Sequence, residues 1–275
     1  MSNEGAALEY YRFHLSSEQR ERLERERGCS TDDLLRFLVN DVRRYALVPI
    51  SDFRVGSAGL NAQGEIFLGV NLEFTAASFA QTVHAEQFLV SLSRTHSRVP
   101  LVKMAVSAPP CGHCRQFVAE FDPEGELDLL IAEEESVKLK KLLPRAFTPA
   151  DLKVTEPFYS SPLQVTVNTE IEEAATEAAR TSYVPYSRTR AGTAVKAVDG
   201  RVFAGAALEN AAYNPALPPL QAALISAYAQ GCVWSDLVEV VLCQEEGGQI
   251  DYEPQLRDLV RTLNERDVSF RTVFL

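Results

Sequence analysis

Residues 48–74, VPISDFRVGSAGLNAQGEIFLGVNLEF, lie without a gap on residues 184–210, VPYSRTRAGTAVKAVDGRVFAGAALEN. Val48, Pro49, Ser51, Arg54, Gly56, Ala58, Gly64, Phe67, Gly69, Leu72 and Glu73 each meet an identical residue in the second copy. The helix-patterned stretch before the first copy also has a counterpart, NTEIEEAATEAARTS. An internal repeat of this length predicts two like-folded units in tandem. A chain of 275 residues is long enough for both.

Within the first copy the hydrophobic pattern predicts an α/β unit. SSEQRERLERERG has a Ser start, dense alternating charge and a Gly stop, and reads as an exposed helix. Ser30 and Asp33 form a capping pair ahead of an apolar helical stripe, Leu34, Leu35, Leu38, Val39 and Val42. Two apolar runs flank Asn61-Ala62-Gln63-Gly64 and predict a β-hairpin. A helix is expected from near His84, a strand over Leu101–Ala108, a helix opening at Cys111, and a strand in LDLLIA. The order of elements indicates layered α/β domains. A Pro- and turn-rich stretch around LPRAFTPADLKVTEPFYSSPL separates the two copies.

Composition narrows the functional classes. The net charge of −11 disfavours a nucleic-acid partner, which needs a basic footprint. No apolar run approaches the length of a membrane span, and the N-terminal MSNEGAALEYYRFHL lacks the pattern of a secretory signal. A cytoplasmic, reducing compartment is expected, where clustered cysteines serve metal binding or catalysis. Cys29, Cys232 and Cys243 are isolated in sequence and read as ordinary thiols.

The repeat is broken where the chemistry-bearing residues fall. TVHAEQFL in the first copy is replaced by LPPLQAAL, and AVSAPPCGHC by EVVLCQEEGG. The second copy thus keeps the fold pattern and loses His84, Glu86, Cys111 and Cys114. One imidazole and two thiolates suit Zn²⁺, and three protein ligands leave a position open, the mark of a catalytic site. Glu86, two residues from His84, can reach a water at such a metal without being a ligand. Both motifs fall at expected helix N-termini, where the dipole and free N–H groups stabilise thiolates. His113, between the two cysteines, is expected on the helix surface, because ligation from there would strain the turn. His14 and His96 show no sequence partner.

The joint pattern, HAE at residues 84–86 and PCGHC at 110–114, is the signature of zinc nucleobase deaminases. With SDFRVGS, GVNLEF, TVHAEQ, PCGHCRQF, LPRAF and ENAAYNPALPPLQAALI, the chain resembles over nearly its whole length the two-domain, homodimeric cytidine deaminases of bacteria and plants. The resemblance implies a three-layer α/β/α fold, duplicated in tandem. It divides the chain into an N-terminal helical segment (1–30), a catalytic domain (31–150), a linker (151–166) and a degenerate, non-catalytic domain (167–275). It implies one zinc per chain on His84, Cys111 and Cys114, and hydrolysis of cytidine and 2'-deoxycytidine to uridine and 2'-deoxyuridine with release of ammonia. Zinc-bound hydroxide would be the nucleophile and Glu86 the proton shuttle. Asn71 and Glu73 would bind the ribose hydroxyl, Phe53 would pack on the pyrimidine, and Ala85 and Pro109 would meet the base edge through their backbone. Phe147 would complete a pocket, that of the partner subunit. Position 109 departs from the family, whose members often carry Ser, Thr or Ala there. A carbonyl role survives proline, whereas an N–H role does not.

Two other functions fit parts of the pattern. Cys-Gly-His-Cys also occurs as a thiol–disulfide redox motif, but that reading leaves His84 and Glu86 unused and has no Trp before Cys111. A binding module with purely structural zinc would be free to lose Glu86, as the second copy has lost its equivalent.

Overall fold

A computed structural model describes residues 13–159, 163, 169–263 and 268–275. The extreme N-terminus, read above for a signal, and part of the 151–166 linker lie outside the described residues.

The first half opens with strand β1 (His14–Leu15), helices α1 (Ser17–Arg27) and α2 (Thr31–Val42), and the hairpin β2 (Gly56–Asn61) and β3 (Ile66–Val70). Next come α3 (Ala85–His96), β4 (Leu101–Val106), α4 (Gly112–Val118), β5 (Asp128–Ile131), β6 (Val137–Lys138) and α5 (Leu139–Leu142). The six strands form one sheet in the order β1-β3-β2-β4-β5-β6, with β4 and β5 parallel and the other pairs antiparallel. The second half contains α6 (Ile171–Arg180), β7 (Ala191–Ala197), β8 (Val202–Ala206), α7 (Pro219–Ala229), β9 (Leu237–Gln244), α8 (Glu253–Leu263) and β10 (Ser269–Phe274). Its sheet runs β10-β9-β7-β8, again with a single parallel pair, β9 with β10.

Local chemistry explains the helix starts. Ser16 caps α1 and Gly28 ends it in a left-handed conformation. Ser30 and Asp33 form the expected capping box of α2, and Leu34, Leu35, Leu38, Val39 and Val42 are all buried. Strand β4 stops at Val106, short of the expected Ala108, because its neighbour β2 begins at Gly56, whose carbonyl takes the Ser107 N–H as the last bond, and Pro109 and Pro110 offer no N–H beyond it.

Helices cover both faces of each sheet. Ser57 lies opposite Gly69 across the β2–β3 ladder, so both point to one face. There the Ser57 hydroxyl donates to the Ala85 carbonyl at 2.8 Å, and a Cβ on Gly69 would fall 2.3 Å from the same oxygen. Gly56 points to the other face, where a Cβ would fall 2.4 Å from the Val39 carbonyl of α2. The second half repeats this: a Cβ on Gly192 would strike Ala179 of α6, and one on Gly205 would strike Ala223 of α7. Each half is therefore a three-layer α/β/α unit, as the sequence implied.

One continuous hydrophobic core runs through both halves, from Phe13 and Leu15 to Leu259 and Leu263. Buried polar side chains pin the contact. Arg94 donates to the carbonyls of Phe158 (2.8 Å) and Thr181 (2.9 Å). Burial lowers its pKa to about 10, which leaves it cationic at neutral pH. Gln87 of α3 reaches the Pro215 carbonyl at 3.3 Å.

Candidate metal centre and active site

Two helix N-termini meet at one point. His84 is the cap residue of α3, its backbone N–H bonded to the Gln87 side chain at 3.1 Å. Cys111 is the cap residue of α4, and Cys114 lies in that helix's first turn. His84 Nδ1 is 3.6 Å from Cys111 Sγ and 3.3 Å from Cys114 Sγ, and the two sulfurs are 3.6 Å apart. Tetrahedral zinc with Zn–S near 2.3 Å and Zn–N near 2.0–2.1 Å gives donor separations of about 3.5–3.8 Å. The three donors thus fit the edges of a tetrahedron around one zinc.

The thiols also fit a cation electrostatically. Cys111 is drawn down to about 4, chiefly by its hydrogen bond with Cys114, and the same bond holds Cys114 up. Unaided, the pair shares one proton. A divalent cation between them lets both stay deprotonated. Both remain free thiols.

Glu86, in the first turn of α3, is 4% exposed. Desolvation raises its pKa, against the opposing pull of its own backbone, Cys114 and His84. The result is a carboxyl that holds a proton beside the donor triangle at a higher pH than an ordinary glutamate.

These residues open onto a cavity of about 540 Å³ whose wall includes Phe53, Asn71, Glu73, Ala85 and Pro109. Phe53 is 61% exposed and presents a ring to the cavity. Asn71 Nδ2 donates to the Phe53 carbonyl at 2.9 Å, and its Oδ1 accepts from Val55 N–H at 2.9 Å. Glu73 accepts from the N–H groups of Ile50 (2.9 Å) and Ser51 (3.0 Å) and from the Ser51 hydroxyl. Both side chains therefore shape the 50–55 loop as well as the cavity wall. Pro109 is exposed at the rim with no N–H to offer, while Arg115 ties down the Pro110 carbonyl at 2.8 Å. Phe147 is brought elsewhere: it does not line the cavity, is 45% exposed, and has its carbonyl bonded to Gln116.

Some features were not legible in the sequence. Phe79, 80% exposed, also lines the cavity. A bare aromatic in SFAQ is its only sequence signal. His113 is half-buried rather than on the helix surface; its donor atom lies within 4.8 Å of those of His84, Cys111 and Cys114. Its ring centroid is 5.1 Å from that of His84.

Comparison with known proteins agrees with this geometry. The family described as "Cytidine and deoxycytidylate deaminase zinc-binding region" matches residues 30–125 and again 139–257. A cytidine deaminase of Photobacterium profundum is 34% identical over 238 residues, spanning 85% of this chain and 81% of that protein. The chain belongs to the cytidine deaminase family. Another relative, the cytidine deaminase of Serratia proteamaculans, is 34% identical over 258 residues, 93% of this chain and 88% of its own length. Among solved structures, the cytidine deaminase of Mycobacterium tuberculosis is 31% identical with a TM-score of 0.37, covering 42% of this chain and 95% of that one.

The second copy shows which features of the family site are dispensable for folding. The bridges Leu72–Val83 and Leu208–Leu217 are equivalent, which sets Pro218 at the position of His84 and Leu220 at that of Glu86. Ser57 pairs with Val106 and Thr193 with Leu242, which sets Gly247 and Ile250 at the positions of Cys111 and Cys114. The α/β/α layers persist without a single metal donor at these positions. No helix among the described residues is long and apolar enough to cross a membrane.

Proposed function

We propose that this chain is a zinc-dependent hydrolase that converts cytidine and 2'-deoxycytidine, with water, to uridine and 2'-deoxyuridine and ammonia. One observation carries the reading: three metal donors lie together, and two of them, His84 and Cys111, share the wall of a single cavity with the buried Glu86 and an exposed aromatic ring. His84, Cys111 and Cys114 would hold the zinc. When bound, the metal supplies Lewis acidity that activates water near neutral pH.

Glu86 takes a proton from the attacking water and delivers it to N3 of the ring. It then takes the proton of the new C4 hydroxyl and passes it to the amino group, so that C4=O forms as the C4–N bond breaks and ammonia leaves. Phe53 stacks on the pyrimidine. The Ala85 N–H and the Pro109 carbonyl hold the base edge, and proline at 109 leaves that acceptor intact. Asn71 and Glu73, already anchored on the 50–55 loop, turn their remaining hydrogen-bonding capacity to the ribose hydroxyls. Exposed Ile50, Phe53 and Phe79 at the cavity, and exposed Phe147 away from it, suit cover by a second copy of the chain, so that a homodimer closes each pocket and one subunit's Phe147 completes the other's. Residues 31–150 are the catalytic domain, 167–275 the degenerate one, with 1–30 as an N-terminal segment and 151–166 as the linker. A reducing cytoplasm keeps Cys111 and Cys114 available as ligands for this step of pyrimidine salvage.

Metal analysis together with one variant tests the reading. The purified chain should contain about one zinc per chain and release ammonia from cytidine. Glu86→Ala should keep its zinc and lose about 10²–10⁴-fold in turnover. Equal turnover in the two proteins would remove Glu86 from the mechanism. Zinc-free protein with a reversible Cys111–Cys114 disulfide would favour the oxidoreductase reading instead.

A further inference from the structure

The second half retains a pocket at the place equivalent to the catalytic one. Glu209 is the repeat of Glu73, and its Oε2 accepts from the N–H groups of Tyr186 (2.9 Å) and Ser187 (3.1 Å), as Glu73 does from Ile50 and Ser51. The other oxygens differ. Glu73 Oε1 is satisfied by the Ser51 hydroxyl, whereas Glu209 Oε1 is buried with no hydrogen-bond partner among the described residues. The Glu209 side chain as a whole is only 5% exposed. A buried acceptor without a donor is costly, and a ligand hydroxyl would satisfy it.

Glu209 lies in the wall of a cavity of about 460 Å³, within the ~300–1,000 Å³ common for small-molecule sites. Tyr186, Tyr213 and Tyr252 contribute aromatic surface to that wall, and Asn214 and Gln249 contribute amides. Such a wall suits a planar heterocycle with polar edges. Among the described residues no Lys or Arg lines the cavity, so a phosphate would meet the Glu209 carboxylate without compensation. Proline, leucine, glycine and isoleucine stand where the catalytic half has its metal donors and Glu86, so the residues that would hold a metal and shuttle protons are missing from these positions.

We propose that the second half binds a neutral nucleoside without turning it over, its hydroxyls on Glu209 and its base among the tyrosines. The ligand class rests partly on the deaminase reading, because the repeat equates this pocket with a nucleoside pocket. Cytidine is the probe, and the full-length, zinc-loaded Glu86→Ala chain is the host, since it binds without consuming it. Equilibrium dialysis should give two cytidines per chain, the second weaker than the first. Tyr213 is 65% exposed, so Tyr213→Ala removes cytidine contact without opening the core; in the Glu86→Ala background it should weaken the second site at least tenfold and spare the first. Glu209→Gln should weaken the same site, and Phe53→Ala only the other. One cytidine per chain, or two that Tyr213→Ala leaves unchanged, would overturn the proposal. Absence of turnover by the unsubstituted chain would instead sink the deaminase reading, and the two failures are distinct.

Discussion

Glu73 recurs as Glu209 because the loop before β2, and its equal before β7, needs a carboxylate to collect two backbone N–H groups. Burial alone would push Glu73 up, but hydrogen bonds from Ser51 and Ile50 outweigh it and hold the carboxylate below its ordinary pKa. Asn71 does not recur: its counterpart is Ala207, just as the counterpart of Phe53 is Thr189. The two losses belong together, since the Asn71 amide clamps the backbone on both sides of Arg54 and so orients Phe53. Asn71→Ala releases both bonds, each contributing about 1 kcal/mol net. The expected outcome in steady-state kinetics with cytidine is a KM raised about tenfold or more, with kcat within a few-fold and zinc content unchanged. A loss confined to kcat would place Asn71 at the chemistry rather than at the wall.

At the level of elements, periodicity and caps made α1, α2, the β2–β3 hairpin and α3 legible, because each is specified by its own residues. Strand β1 is not, since two residues, His14 and Leu15, form a strand only by pairing with Phe67 and Ile66. His14, which shows no partner in the sequence, stacks on the Phe67 ring at 4.6 Å. The metal motif was legible because the broken repeat separated chemistry from folding. The approach of His113 and Phe79 was not, being fixed by tertiary packing. The repeat also sets up a comparison between helices. A methyl at Gly69 would collide with Ala85 and Leu89 of α3, and one at Gly205 with Ala222 and Ala223 of α7. Overpacking of this kind costs about 1–3 kcal/mol, or several degrees in Tm for a chain of this size. Gly69→Ala and Gly205→Ala should therefore both lower Tm by calorimetry. Only Gly69→Ala displaces the N-terminus that carries His84 and Glu86, so only it should also reduce zinc content and turnover. Equal loss of zinc from both would show that the halves transmit strain as one body.

The two halves are joined by buried polar contacts that neither could satisfy alone. Glu120 of the first half is 3% exposed and accepts from the Tyr183 hydroxyl (2.8 Å), the Tyr186 hydroxyl and the Ala211 N–H (2.8 Å) of the second. Burial is the largest influence on this carboxyl and raises its pKa, and the hydrogen bonds from Tyr186, Ala211 and Tyr183 oppose it without overcoming it. The folded chain therefore binds this proton more tightly than the unfolded chain does. The stability so contributed is full below the ordinary glutamate pKa, near 4.3, and is lost as pH rises through the raised, folded-state value. Glu120→Gln keeps the shape but cannot titrate, and its amide must turn an N–H towards the Ala211 N–H or the tyrosine hydroxyls. An unpaired buried donor costs about 1–3 kcal/mol, which predicts a Tm several degrees below that of the unsubstituted chain at pH 5. The gap should narrow as the pH is raised to 8, because only the unsubstituted chain then bears the cost of ionising Glu120 between the halves. Melting curves of the two proteins over this range check the sign directly; a gap that widens with pH would mean that the tyrosine and backbone donors hold Glu120 ionised in the folded chain.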